Sequence, residues 1–137
     1  ELIPDDVEVM AMTSVTLETL GVVYDKVRSS TPEYAIGSVH AVTEDGHVLI
    51  ASATGSQLPA YVYGAKHVVW VVGQQKIVKN VEEGIKRIYE YVLPLESERA
   101  RKAYGVPGSA VNKLLIFNAE TTPNRVHLIL VKENLGF

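Results

Sequence analysis

The chain has 137 residues, 47% of them hydrophobic and 21% charged, with a formal net charge of -3 and no cysteine. That is the size and composition of one globular domain with its own core, and the mixed charge argues against a nucleic-acid-binding face. The longest apolar run, VVWVV at 68–72, is far short of the roughly 20 residues a membrane helix needs. Zero cysteines remove disulfides, thiolate metal sites, cysteine-ligated iron–sulfur clusters and cysteine nucleophiles together, and a cytoplasmic setting fits.

The chain opens on Glu1-Leu2-Ile3-Pro4 without an initiator Met or a signal-peptide pattern, so a trimmed N-terminus is expected. VEVMAM (7–12) has strand length, and Thr13-Ser14 then opens a helix over Leu17–Val27, where a hydroxyl can accept an orphan N–H. Pro32 disfavours helix at Thr31, so 29–33 reads as a loop ahead of a short strand, Tyr34–Ile36. Val39–Val42 leads into Asp45-Gly46, a tight-turn signal. His47–Ser52 is nearly continuous in apolar residues, as a strand covered on both faces would be. Gln57–Tyr63 is predicted as a short helix with Gly64 as a left-handed cap, followed by a central strand, His67–Val72. Val81, Ile85, Ile88 and Val92 form one apolar stripe of a helix over 81–93, with Glu82–Lys86 and Glu83–Arg87 pairs outside. Pro94 ends or kinks that helix, and a charged extension, Glu96–Tyr104, stops at Gly105. Lys113–Asn118 and Arg125–Val131 are two further strands, expected to pair antiparallel. This order predicts an α/β fold, a mostly parallel sheet flanked by helices with an antiparallel C-terminal edge.

Ligands of open α/β sheets collect outside the carboxyl ends of the strands. Here those ends carry Thr13-Ser14, Gly37-Ser38, Thr54-Gly55-Ser56-Gln57 and Gly73-Gln74-Gln75-Lys76. Gly55 permits close backbone approach and the helix start after it offers free N–H groups, although Ser56 also serves as an ordinary helix cap. Lys76 can neutralise an anion. His40 is a candidate general base or hydrogen-bond donor and Glu44 a candidate catalytic carboxylate, against a packing histidine and a solvated turn. No residue spacing indicates a metal site, and no Gly-x-Ser-x-Gly elbow is present.

The strings GSVHAVTEDG (37–46), ASATGSQLPAYVYGAKHVVWVVGQQKIVK (51–79), YVLPLESERARKAYG (91–105), SAVNKLLI (109–116) and LVKENLGF (130–137) resemble the lactate-utilisation LUD domain family (LutC-like) over nearly the whole chain. The resemblance implies a single LUD-like domain over 1–137 with a NagB/RpiA/CoA-transferase-like fold. It also implies partner proteins that carry iron–sulfur clusters in a lactate-oxidising system. Family members usually have a helix and strand ahead of Glu1 and a longer helical insertion between Val27 and Thr31, both reduced here. Two function classes follow. One is a small-molecule-binding component for an anionic, organic-acid or phosphate-containing ligand. The other is an enzyme acting on a phosphosugar, acyl-CoA or folate-like substrate. A purely structural subunit, and a homo-oligomer with contacts through 95–104 and Leu135–Phe137, are further options.

Overall fold

A computed structural model of the chain describes residues 9–11 and 28–137. The helix expected over 17–27, and with it Thr13 and Ser14, lies outside the described residues. Among the described residues two four-stranded sheets form the frame. The first is parallel throughout: β1 (Val9–Ala11), β2 (Tyr34–Gly37), β5 (His67–Gly73) and β8 (Val126–Val131), in that order. The second orders β6 (Ile77–Val78), β3 (Ala41–Thr43), β4 (Val48–Ser52) and β7 (Lys113–Phe117), with β6 parallel to β3 and the other pairs antiparallel.

β4 explains the layering. Its apolar run is continuous because its two faces serve two different cores. Val48 and Ile50 join Ala35, Val68, Trp70 and Val72 between the sheets. Leu49 and Ala51 join Ala41 and Ile88 beneath the helix that follows β6. Trp70 sits edge-on to Tyr61 and Phe117 at 5.6 and 5.3 Å, so one aromatic cluster ties both sheets together.

The helix begins at α1 (Val81–Arg87), capped by Asn80, whose side chain accepts from the Glu83 N–H at 2.9 Å. Gly84 faces Leu49 so closely that a Cβ there would lie 2.9 Å from the leucine methyl, which is how the helix reaches the sheet. The expected Glu82–Lys86 and Glu83–Arg87 pairs do not form. Glu83 instead accepts from the Lys79 N–H at 3.1 Å, and Arg87 turns inward. Pro94 neither ends the helix nor breaks it. A π-helical turn, Ile88–Val92, precedes it and continues into α2 (Leu93–Tyr104). The wider turn, closed by Leu93 N–H to the Ile88 carbonyl, takes up the mismatch that a ring without an N–H creates. Gly105 closes the helix at φ 66, and Gly46 supplies the hairpin turn at φ 97, both as expected.

Two local expectations change. The Leu58–Gly64 segment ends in a π-helical turn, Ala60–Gly64, and Gly64 does not adopt a left-handed φ. Gly64 is needed for room: a Cβ would meet the Ser30 carbonyl oxygen at 1.6 Å. The two C-terminal strands do not pair with each other. β7 is the antiparallel edge, on β4, whereas β8 crosses to the first sheet and runs parallel to β5. Arg125 fixes that crossing. Its buried guanidinium donates to the carbonyls of Ala60, Tyr61 and Ala65 and pairs with Glu120, pinning the start of β8 beside the start of β5.

Candidate functional site

Because β2 and β5 are parallel neighbours, Gly37-Ser38 and Gly73 leave the first sheet at the same edge. A short 3-10 turn, Gln74–Lys76, follows β5 and carries Lys76 inward until only 4% of it is exposed. Its ammonium donates to the Ser38 hydroxyl at 3.1 Å. Burial lowers the Lys76 pKa from its ordinary value, and the nearby Arg87 cation lowers it further. Arg87 reaches the Gln75 carbonyl with Nε at 3.5 Å and lies 4.9 Å over the Tyr91 ring, while its Nη1 is buried without a hydrogen-bond partner. Burial lowers the Arg87 pKa as well. Among the described residues no carboxylate pairs with either cation.

The chain beyond β8 returns across this edge. The Gln75 amide donates to the Leu135 and Gly136 carbonyls at 2.9 and 3.1 Å and accepts from the Leu135 N–H at 3.3 Å. Gly73 is a close-approach glycine, since a Cβ would lie 2.6 Å from the Leu135 nitrogen. The tail therefore borders the Lys76 ammonium at Gly136.

A cavity of about 260 Å³ lies on the helix side of β4, and neither Lys76 nor Arg87 lines it. It is lined by His40, Ser52, Thr54 and Gln57 on one wall and by Ile88, Val92 and Glu96 on the other. His40 Nδ1 accepts the Ala51 N–H at 3.0 Å. Burial pushes the His40 pKa down to about 4, Lys76 and Arg87 add to that, and Glu96 opposes it. The neutral ring therefore keeps its proton on Nε2. With its acceptor nitrogen engaged, His40 presents a donor, which favours the hydrogen-bonding role over the general-base role of the two the sequence offers. Glu96 is held by Arg99 through both oxygens, at 2.6 and 2.7 Å.

The structure gathers Gly37, Ser38 and Lys76 at one rim and His40, Thr54 and Gln57 at the cavity. Gly37 itself makes room for Tyr61, whose hydroxyl would lie 1.9 Å from a Cβ there. The 54–57 turn offers fewer free donors than expected. The Gly55 N–H goes to Ser52 Oγ at 2.8 Å and the Ser56 N–H to Thr54 Oγ1 at 3.3 Å, because short hydroxyl side chains close the turn upon itself. Gly55 adopts φ 85 and packs on the Lys113 stem, and Ser56 is exposed. Glu44 does not approach His40. It stands on the exposed hairpin tip, four residues along the strand and so about 13 Å away. In that turn Asp45 is the engaged carboxylate, bonded to Thr43 at 2.5 Å and His47 at 3.0 Å.

Arg87 and Glu96 were not singled out as site residues from sequence. Glu96 had a readable signal, since 88, 92 and 96 continue the i,i+4 stripe into the site. Among the described residues no helix is long and apolar enough to cross a membrane.

The LUD domain model matches residues 5–131. The chain belongs to the LUD domain family. Among solved structures, the LUD domain is similar to that of a DUF162 family protein from Deinococcus radiodurans, a crystal structure at 1.70 Å resolution, with 14% sequence identity and a TM-score of 0.49. The alignment covers 77% of this chain and 57% of that one, so the chain spans little more than half the length of that protein. No curated protein matches.

Proposed function

We propose that this LUD domain binds a small anion, an organic acid or a phosphate-containing compound, at the carboxyl ends of β2 and β5, as the ligand-binding component of a lactate-utilisation system. The observation that carries this reading is Lys76, an ammonium 4% exposed whose hydrogen-bond partner is a serine hydroxyl and whose cationic neighbour is Arg87. A buried charge without a counter-ion costs several kcal/mol, and a second cation beside it raises that cost. A bound carboxylate or phosphate supplies the missing charge, accepts from Lys76 Nζ and the Ser38 hydroxyl, and offsets the nearby Arg87 cation. The lactate connection rests on membership of the LUD family. With no cysteine in the chain, thiolate-held iron–sulfur clusters of such a system reside in partner proteins.

The test is calorimetry with L-lactate, pyruvate, inorganic phosphate and a sugar phosphate. A bound anion raises the melting temperature as RT ln(1 + [L]/Kd) dictates, and the effect weakens with salt. Lactamide stabilising the domain as well as lactate does, or none of the four anions stabilising it at all, would refute the reading.

A further inference from the structure

The cavity beside His40 is chemically unlike the cationic edge. At roughly 30 Å³ per water-sized group, its volume of about 260 Å³ holds about nine such groups, the scale of a metabolite. Most of its polar wall is already engaged. Ser52 Oγ donates to Gln57 Oε1 at 3.0 Å and accepts from Gly55, Thr54 donates to Ser56 at 3.2 Å, and both Glu96 oxygens are taken by Arg99. Glu96 and Arg99 together carry no net charge, so the pair gives an ion of either sign little to hold.

His40 differs from these groups. Its Nδ1 accepts from Ala51, which leaves Nε2–H as a donor without a partner among the described residues. Nε2 is nevertheless not among the buried polar atoms that lack a partner, so it is open to the space the ring lines. Opposite stand hydrocarbon walls, Ile88, Val92, Leu93 and Val111. The π-helical turn places Ile88 and Val92 side by side on that wall, and such turns recur at functional sites.

We propose that this cavity is a binding site for a small uncharged molecule with an accepting oxygen, a ketone, ester or amide, whose oxygen takes the His40 Nε2–H and whose hydrocarbon part rests on Ile88, Val92 and Leu93. The site is separate from the anion position at Lys76. Its donor stays neutral across the physiological range, because burial holds the imidazole pKa at about 4. A neutral donor in a half-apolar pocket favours a carbonyl over a carboxylate, which would have to leave water without meeting a cation.

The test is NMR titration of the whole chain with cyclopentanone, cyclopentane and acetate, following the His40 ring nitrogens and the Ile88 and Val92 methyls. Cyclopentanone is expected to move His40 Nε2 and both methyls with one common, saturable Kd. Cyclopentane should move the methyls alone, roughly three- to tenfold more weakly, as loss of one neutral hydrogen bond implies. Val92→Trp fills the cavity and should abolish both. His40→Phe should bring cyclopentanone down to the cyclopentane level. If that variant does not fold, because it strands the Ala51 N–H, the wild-type comparison and Val92→Trp decide alone. Lys76→Met should leave cyclopentanone binding intact, so this proposal and the anion reading can fail separately. Three results would overturn the site: no saturable cyclopentanone shift, cyclopentane binding as tightly as cyclopentanone, or acetate moving the same resonances at lower concentration.

Discussion

Lys76→Met is the perturbation that separates burial from function at the cationic edge. Methionine keeps the length and hydrocarbon packing of the lysine stem and removes the ammonium. What is lost inside the protein is one hydrogen bond to Ser38, and Ser38 is exposed, so its hydroxyl returns to water. What is relieved is the desolvation of a cation only 4% exposed and its repulsion by Arg87. Replacing an uncompensated buried charge with an apolar isostere stabilises proteins by about 1–2 kcal/mol or more, which here means a melting temperature about 3–8 °C higher. The sign depends on pH. A lysine whose folded pKa is lowered destabilises the fold while both states are protonated. As pH rises through that lowered value the folded state loses its proton first, stability climbs, and the penalty is gone above the ordinary 10.5. The advantage of the variant over the wild type should therefore shrink as pH approaches 10.5. Anion affinity should move the other way. A charged hydrogen bond of about 1.5–3 kcal/mol corresponds to a Kd weaker by ~10–150-fold. Scanning calorimetry from pH 7 upward, with isothermal titration of phosphate and L-lactate, reads both effects. A lower melting temperature with unchanged anion affinity would show that Lys76 is a structural cation and refute the reasoning.

Other outcomes follow from the same geometry. A fall of the His40 pKa from 6.5 to about 4 makes the unfolded chain the better proton acceptor, so stability should decline as pH drops through that window, by about 3 kcal/mol in all. Urea unfolding at neutral and acid pH should show this in the wild type and much less of it in His40→Asn. Arg125→Met strips donors from the Ala60, Tyr61 and Ala65 carbonyls and leaves Glu120 with the Thr122 N–H but no cation, at a cost of about 3–5 kcal/mol in urea unfolding. Gly64→Ala sets a methyl 1.6 Å from a backbone oxygen and should cost more than about 3 kcal/mol or prevent folding. Gly55→Ala meets only the side-chain stem of Lys113, which can rotate aside, and should cost about 1–2 kcal/mol for its positive φ; equal costs at the two glycines would contradict the geometry.

Much of the frame was legible because it depends on local chemistry. β4 announced its two covered faces through an unbroken apolar run, Asp45-Gly46 its turn, and Gly105 the helix end. The helix stripe at 81, 85, 88 and 92 faced the sheet as the spacing required. What escaped was decided at long range. Nothing near Lys113 or Val126 says that consecutive strands enter different sheets, since the choice rests on Arg125 meeting carbonyls about sixty residues away. Gly64 had the composition of a cap, but its neighbour is Ser30, again a tertiary contact. At the candidate site, residue types pointed to the strand ends, and Ser38 and Lys76 do meet there. Their partners did not show, because Arg87 looks like a surface cation until the helix packs. The 54–57 turn is less open than its residue types suggest, for a different reason: hydroxyls that could serve a ligand are equally able to serve their own backbone.

The parallel pairing of β5 with β8 has a kinetic meaning. Val68 lies opposite Val126, so the chain must close a loop of 58 residues before that ladder can form. The Gln75 clasp on Leu135 and Gly136 can close only afterwards, and it borders Lys76. Local structure such as the β3–β4 hairpin closes a short loop and is expected early on the folding pathway, whereas the tail's clasp beside the cationic edge waits on the long closure and is expected late. The proposed anion binding would then report the finished fold, silent in any collapsed intermediate that already holds its hairpin and helix.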